Sequence, residues 1–290
     1  MKKSIGLLTV SSLCFNLLSC STTPKETTPF PLKDVAARSA IVVSGKVVRT
    51  NASEEPLLMA SANTVVIKVL HMYAGAEIAG DQTGRNITAI LSRPLRLKVG
   101  TEAMFFGNPR FVGKSLTMVD EGEMLSAKTA EANPDLKIGL QARRDKPIQE
   151  RLTSASTVFL GKVESVRPLE SNMDKKDQSR ESFSEHDPEW HVAAVRVITP
   201  LRGSNKDAMV LVIYPASRDI MWFNSPKLQP GQEGVFITHN PVKGEEELMR
   251  ATGVTAFMEK QPAVLVTQPF DVLPASDEAR VRRLLEKEVQ

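Results

Sequence analysis

Residues Glu150-Arg151-Leu152-Thr153-Ser154-Ala155-Ser156-Thr157-Val158-Phe159-Leu160-Gly161-Lys162-Val163 set a short helix-like turn before an apolar run that closes on Gly-Lys-Val. The same order stands earlier in the chain, at Asp34-Val35-Ala36-Ala37-Arg38-Ser39-Ala40-Ile41-Val42-Val43-Ser44-Gly45-Lys46-Val47. Two further blocks recur behind them. Val66-Ile67-Lys68-Val69-Leu70-His71-Met72-Tyr73-Ala74-Gly75 has its counterpart in Ala194-Val195-Arg196-Val197-Ile198-Thr199-Pro200-Leu201-Arg202-Gly203. Leu97-Lys98-Val99-Gly100-Thr101-Glu102-Ala103-Met104-Phe105 has its counterpart in Leu228-Gln229-Pro230-Gly231-Gln232-Glu233-Gly234-Val235-Phe236. The separation grows from 116 residues (Gly45 to Gly161) through 128 (Gly75 to Gly203) to 131 (Gly100 to Gly231). Loop insertions into one of two related domains produce such a drift, and an internal repeat is a strong architectural cue. The competing explanation is coincidence among β-rich segments.

The blocks read as strands. Val65, Ile67 and Val69 share one face with Lys68 on the other, and Val195 and Val197 flank Arg196 in the same way. Met209 to Tyr214 is a continuous apolar run expected to be buried on both faces, and Gly75, Gly100, Gly203 and Gly231 stand where strands should turn. The second copy adds strand-like runs at Gly253–Met258 and Ala263–Thr267. At the end the period changes. Val281, Leu284, Leu285 and Val289 follow a Pro274-Ala275-Ser276-Asp277-Glu278 start signal at helical spacing, which predicts an amphipathic helix. The expectation is a mainly β chain: two tandem small Greek-key, OB-like β-barrel domains with short helices and a C-terminal helix. The first covers 31–126, a linker covers 127–148, and the second covers 149–290.

The strand with a central glycine (Gly161), the strand closing on Leu201-Arg202-Gly203 and the Leu228-Gln229-Pro230-Gly231 turn before an apolar strand resemble TIMP/netrin-module-like bacterial domains. The first copy offers Tyr73-Ala74-Gly75 and Leu97-Lys98-Val99-Gly100 at the same places. The metalloprotease inhibitors of that superfamily use a free, disulfide-paired amino-terminal cysteine. The present chain offers none once Cys20 is modified, so an inhibitory activity is not implied.

The amino terminus, MKKSIGLLTVSSLCFNLLSC, joins Lys2 and Lys3 to an apolar stretch interrupted by Asn16 and serines. That stretch is too broken for a membrane span and reads as a secretory signal over 1–19. Leu17-Leu18-Ser19-Cys20 resembles the lipobox of bacterial lipoproteins. The resemblance implies a diacylated Cys20, cleavage before it and a membrane partner through that anchor. With Ser21 rather than aspartate next, it implies residence in the bacterial cell envelope at the outer membrane. Residues 20–30 then form a lipidated tether, Thr- and Pro-rich and unable to order itself. The other cysteine, Cys14, leaves with the signal, so no disulfide framework is expected.

Lys2 and Lys3 are the only charges in 1–19, so the remainder carries 35 bases against 34 acids. That balance, 5% aromatic content and an export signal argue against a nucleic-acid partner. The chain shows no glycine-rich phosphate loop, GxSxG, HExxH or paired-cysteine pattern, so no catalytic residue, resident metal or cofactor is expected.

Glu185-His186-Asp187-Pro188-Glu189-Trp190-His191 is the most conspicuous polar stretch. His186, Asp187, Glu189 and His191 have the donor types of a zinc or acid–base site. Yet the five-residue spacing of the histidines fits neither a helix face nor a strand face, and the bland expectation is an exposed loop with Trp190 capping the core. Asp219-Ile220-Met221-Trp222-Phe223 is the second candidate. Trp222 reads as part of a ligand or interface platform, or as packing at a barrel mouth. His71 and His239 read as structural. Three functions remain open at this stage: a non-enzymatic envelope lipoprotein facing a protein or glycan partner, a small-ligand or metal binder using 186–191, and an enzyme with a site dispersed over loops.

Overall fold

The computed structural model describes residues 31–93, 97–113, 115–169, 188–241, 248–250 and 252–288. The signal segment, Cys20, the tether, and His186 and Asp187 lie outside the described residues. Helix α1 (Leu32–Arg38) leads into β1 (Ile41–Thr50) and β2 (Thr64–Ala74). A single turn, α2 (Ala76–Ala79), precedes β3 (Asn86–Ile90), β4 (Glu102–Val112) and β5 (Ser115–Ser126). These five strands close a barrel in the order β1-β2-β3-β5-β4. Neighbours are antiparallel except β3 and β5, an order that suits an OB-like Greek key. Alternate residues point inward, and Ile41, Val43, Val47, Ile67, Ala89, Phe105 and Met118 fill the interior.

The second sheet holds β6 (Thr157–Pro168), β7 (Trp190–Arg202), β8 (Met209–Pro215), β9 (Glu233–Thr238), β10 (Ala263–Leu265) and β11 (Val272–Pro274) in the order β10-β8-β7-β6-β9-β11. It repeats the first frame. Gly45 faces Val69 and Ala103, while Gly161 faces Val197 and Gly234. The β1–β2 register shifts at Val42/Val43, Ser44/Gly45 and Val47/Arg49. The β6–β7 register shifts at Val158/Phe159, Leu160/Gly161 and Val163/Ser165, the matching positions. Gly75 and Gly203 turn the chain at φ 103° and 68°, and a Cβ on either would lie 2.8 or 2.7 Å from a backbone carbonyl of Ala40 or Ser156. This is why glycines mark both copies.

The second copy differs in its last strand. Where β5 is continuous, the second copy breaks it into β10, parallel to β8, and β11, antiparallel to β9. The result is a curled half-barrel rather than a second closed barrel. Beyond β10, its edges are joined by the His239–Leu265 bridge, with N–H···O distances of 3.2 and 3.0 Å. Two sequence expectations change. Gly253–Met258 is not a strand: Val254–Lys260 is helix α5, with Val254 buried and Phe257 and Met258 packed on the same cluster at helical spacing. Met209–Tyr214 is buried on both faces only from Val212 onward, and Met209 is exposed at the turn.

Residues 127–148, expected as a linker, are largely helical: α3 (Ala127–Ala132) and most of α4 (Pro134–Ser154). The Asn133 side chain accepts from Asp135 N (2.9 Å) and Pro134 opens the first turn, so the start is well capped. The first half of α4 packs on α1. Leu136 joins Leu32, Val35 and Ala36 over the outer face of the barrel at Val42, Met104 and Phe106, and Gly139 lets the α1 backbone approach. The second half repeats this arrangement. Ile148 and Leu152 cover Val158, Val235 and Ile237 together with Val281 and Leu284 of α6 (Glu278–Glu288). One helix thus ends the first unit and begins the second. Among the described residues, no helix is long and apolar enough to cross a membrane.

Candidate functional site: the loop end of the half-barrel

One local difference between the copies lies after the third strand of each. The first copy uses residues 92–96 between core residues Leu91 and Leu97, whereas the second uses 215–227 between Tyr214 and Leu228. The longer loop is pinned at several points. Ala216 N donates to Glu189 O (2.7 Å) and Glu189 N to Ser217 Oγ (2.5 Å), fastening the loop to the start of β7. Asp219 Oδ1 accepts from Met221 N (2.7 Å) and Trp222 N (3.3 Å), a side-chain-capped turn. Ser225 Oγ donates to Thr267 O (2.7 Å). Lys227 Nζ donates to Pro215 O (2.7 Å) and Trp222 O (2.8 Å), clasping both arms of the loop. Burial holds the Lys227 ammonium below its ordinary range, against the pull of Asp219.

The indole of Trp222 turns inward, 6.0 Å from the ring of Trp190 and inclined at 57°. Trp190 is buried among Leu169, Val192, Ile213 and Val254, and its Nε1 donates to Thr252 Oγ1 (2.9 Å). With Trp222 turned in, its neighbours turn out. Ile220, Met221 and Phe223 expose 85, 67 and 71% of their surfaces, three large apolar side chains on one braced turn.

The two candidates from the sequence are therefore only partly joined. Trp190 and Trp222 meet. His191, one residue along a strand, points to the other face, where its ring lies 5.8 Å from that of Tyr214. Tyr214 is raised above its usual pKa by burial and donates to Leu228 O (3.2 Å). The Glu189 side chain is exposed and its backbone is used to hold the loop. Among the described residues, no group of three or more histidine, cysteine or acidic side chains could hold a metal ion. Sequence reasoning noticed Asp219–Phe223 but missed which side chains face outward. The Asp219 cap marks the turn, but only the fold shows that Trp222 turns in while Ile220, Met221 and Phe223 stay out.

The buried ionic groups beneath this end serve the fold. Asp271 is fully buried. It accepts from Arg151 Nε (2.7 Å), Thr267 N (2.7 Å) and Gln268 N (2.8 Å), fixing the loop between β10 and β11 to the end of α4. Arg151 Nη2 also reaches His239 Nδ1 (3.2 Å). His239 Nδ1 also lies 3.7 Å from Asp271 Oδ2, and its Nε2 faces Thr267 Oγ1 at 3.5 Å, so the ring is held from both sides. No protein-family model matches the chain, and no curated protein shows significant similarity to it.

Proposed function

We propose that this protein is a non-enzymatic, lipid-anchored component of the bacterial cell envelope, held at the outer membrane through Cys20. In this reading it docks a protein partner through Ile220, Met221 and Phe223. The lipobox-like Leu17-Leu18-Ser19-Cys20 supports the anchor. The single observation that carries the docking role is the braced apolar turn. Contiguous exposed apolar groups of this size mark interaction sites. A turn fixed by its own hydrogen bonds loses little conformational entropy on binding. Burying three such side chains contributes roughly 5–8 kcal/mol before the costs of association. That suits the centre of an interface surrounded by a polar rim. The engagement of Asp145, Asp271 and His239 in structural bonds supports a non-enzymatic role.

Two experiments separate the halves of this reading. Cys20→Ala should move the protein from the membrane to the soluble fraction, and retention at the membrane would contradict the anchor. Ile220→Ser/Phe223→Ser should leave localisation and melting unchanged while abolishing the native complex seen by size on mild extraction; an unchanged complex would contradict the docking role.

A further inference from the structure

A concave site of about 590 Å³ lies where α4 passes from the first unit to the second. Its walls come from both: α1 and the end of β2 on one side, Phe270 and α6 on the other. The volume falls in the range of small-molecule sites, which favour such junctions. Tyr73, Leu140, Pro147 and Phe270 give it an apolar floor and rim, with Phe270 40% exposed.

The charged lining is one-sided: five cations, Arg38, Arg143, Arg144, Lys146 and Arg280, with Glu77 the one carboxylate among the lining residues. Three of the five are committed to the fold. Arg143 pairs with Glu77 (2.5 Å) and donates to Ser39 O and Ala40 O, both at 3.0 Å. Burial alone would raise Glu77, but this arginine holds its carboxyl below the usual range, so Glu77 is a spent anion. Arg280 pairs with Asp145 (2.6 Å) and Asp277 (3.5 Å), and Arg38 with Glu121 (3.4 Å). The other two are differently placed. The Arg144 guanidinium donates to the neutral Gln141 Oε1 (3.0 Å), and Lys146 meets Glu150 at 4.0 Å in a pair with both side chains largely exposed. Such a loose surface pair contributes little and is readily exchanged. Arg144 also lines an adjoining cleft of about 380 Å³ that shares Tyr73 and Leu140. A guanidinium satisfied by one amide oxygen retains several N–H donors suited to an oxyanion.

We propose that this junction binds an amphiphilic organic anion, its carboxylate or phosphate on Arg144 and Lys146 and its apolar body against Tyr73, Leu140, Pro147 and Phe270. The ligand class follows from the pairing of a cationic wall with an apolar floor, and it does not depend on the anchor or on the docking turn. A free solute and a phospholipid headgroup share this chemistry.

The test uses the full-length protein in a neutral detergent, with protein-free micelles as the blank. Calorimetric titration with 1-naphthyl phosphate and 1-naphthoate should show saturable one-to-one binding, and the neutral 1-naphthamide should bind at least tenfold more weakly. Arg144→Ala and Lys146→Ala should each weaken the anions by about tenfold, at an unchanged melting temperature. Arg144→Lys should retain most of the affinity and Phe223→Ser all of it. Dihexanoyl phosphatidylglycerol displacing naphthyl phosphate, where the phosphatidylcholine analogue does not, would support the proposal with a lipid headgroup as the source. Naphthyl phosphate binding that resists it would support a free solute. Absence of saturable anion binding, equal affinity for the amide, or unchanged affinity in both alanine variants would overturn the proposal.

Discussion

The closed barrel and the half-barrel share a frame down to the placement of their irregularities, and they differ in their connections and final strand. What they share is what the fold requires. The shifts around Gly45 and Gly161, the positive-φ turns at Gly75 and Gly203, and the stacked interiors led by Phe105 and Phe236 are common to both. What they do not share is not required by the common frame. The second copy alone has the long 215–227 loop, the broken final strand and the Arg151–Asp271–His239 cluster that fastens the break. Duplication thus supplies an internal control: a feature of the second unit with no counterpart in the first is not needed to make the barrel.

The largest expected effects probe the shared frame. Phe105→Ala and Phe236→Ala remove equivalent, fully buried rings and should each cost about 3–5 kcal/mol in urea unfolding. A cost under about 1 kcal/mol for one of them would break the equivalence of the two cores. Next comes a feature of one copy. Asp271→Asn removes a buried charge that answers Arg151 and should cost about 3 kcal/mol. Hydrogen exchange should accelerate in β9, β10 and β11 while the first barrel stays protected; uniform acceleration would show that the two units open together.

A smaller effect depends on pH. Tyr73 is pushed up to about 12, first by burial and then by donating to Glu131, while the matching residue of the second copy is Leu201. A folded pKa above the unfolded value stabilises fully below about pH 10, and that contribution is lost as pH rises from 10 toward 12. Tyr73→Phe should remove that pH dependence from the first unit, while Tyr214, also raised by burial, gives the second unit a dependence of the same sign. The chain has two tyrosines and both are raised, so a tyrosinate absorbance midpoint near 10 in the folded protein would refute the burial of either.

Much of this frame was legible in the sequence, because bulges and positive-φ turns demand glycine and leave marks that survive when the apolar residues change. The C-terminal helix was legible because Val281 and Leu284 fall on one stripe. Helix α4 was not. Leu136 and Leu140 serve the first unit while Ile148 and Leu152 serve the second, and at 3.6 residues per turn the two pairs are rotated by about 120°. No single stripe results, and Pro147 and the Lys/Arg-rich centre disguise the element further. The broken final strand was hidden because three-residue strands show no period. The candidate site was half legible: its loop stood out by composition, but the orientation of Trp222 depends on Trp190, 32 positions away in the chain and adjacent only in the fold.

The central claim is that the braced turn of the second copy is where the protein meets its partner. A photo-reactive phenylalanine analogue placed at 223, and in a second strain at the equally exposed Phe111 of the first barrel, tests it in living cells. Illumination should give one discrete higher-mass adduct from position 223 and none from 111. Adducts of the same pattern from both positions, or none from 223, would contradict the claim.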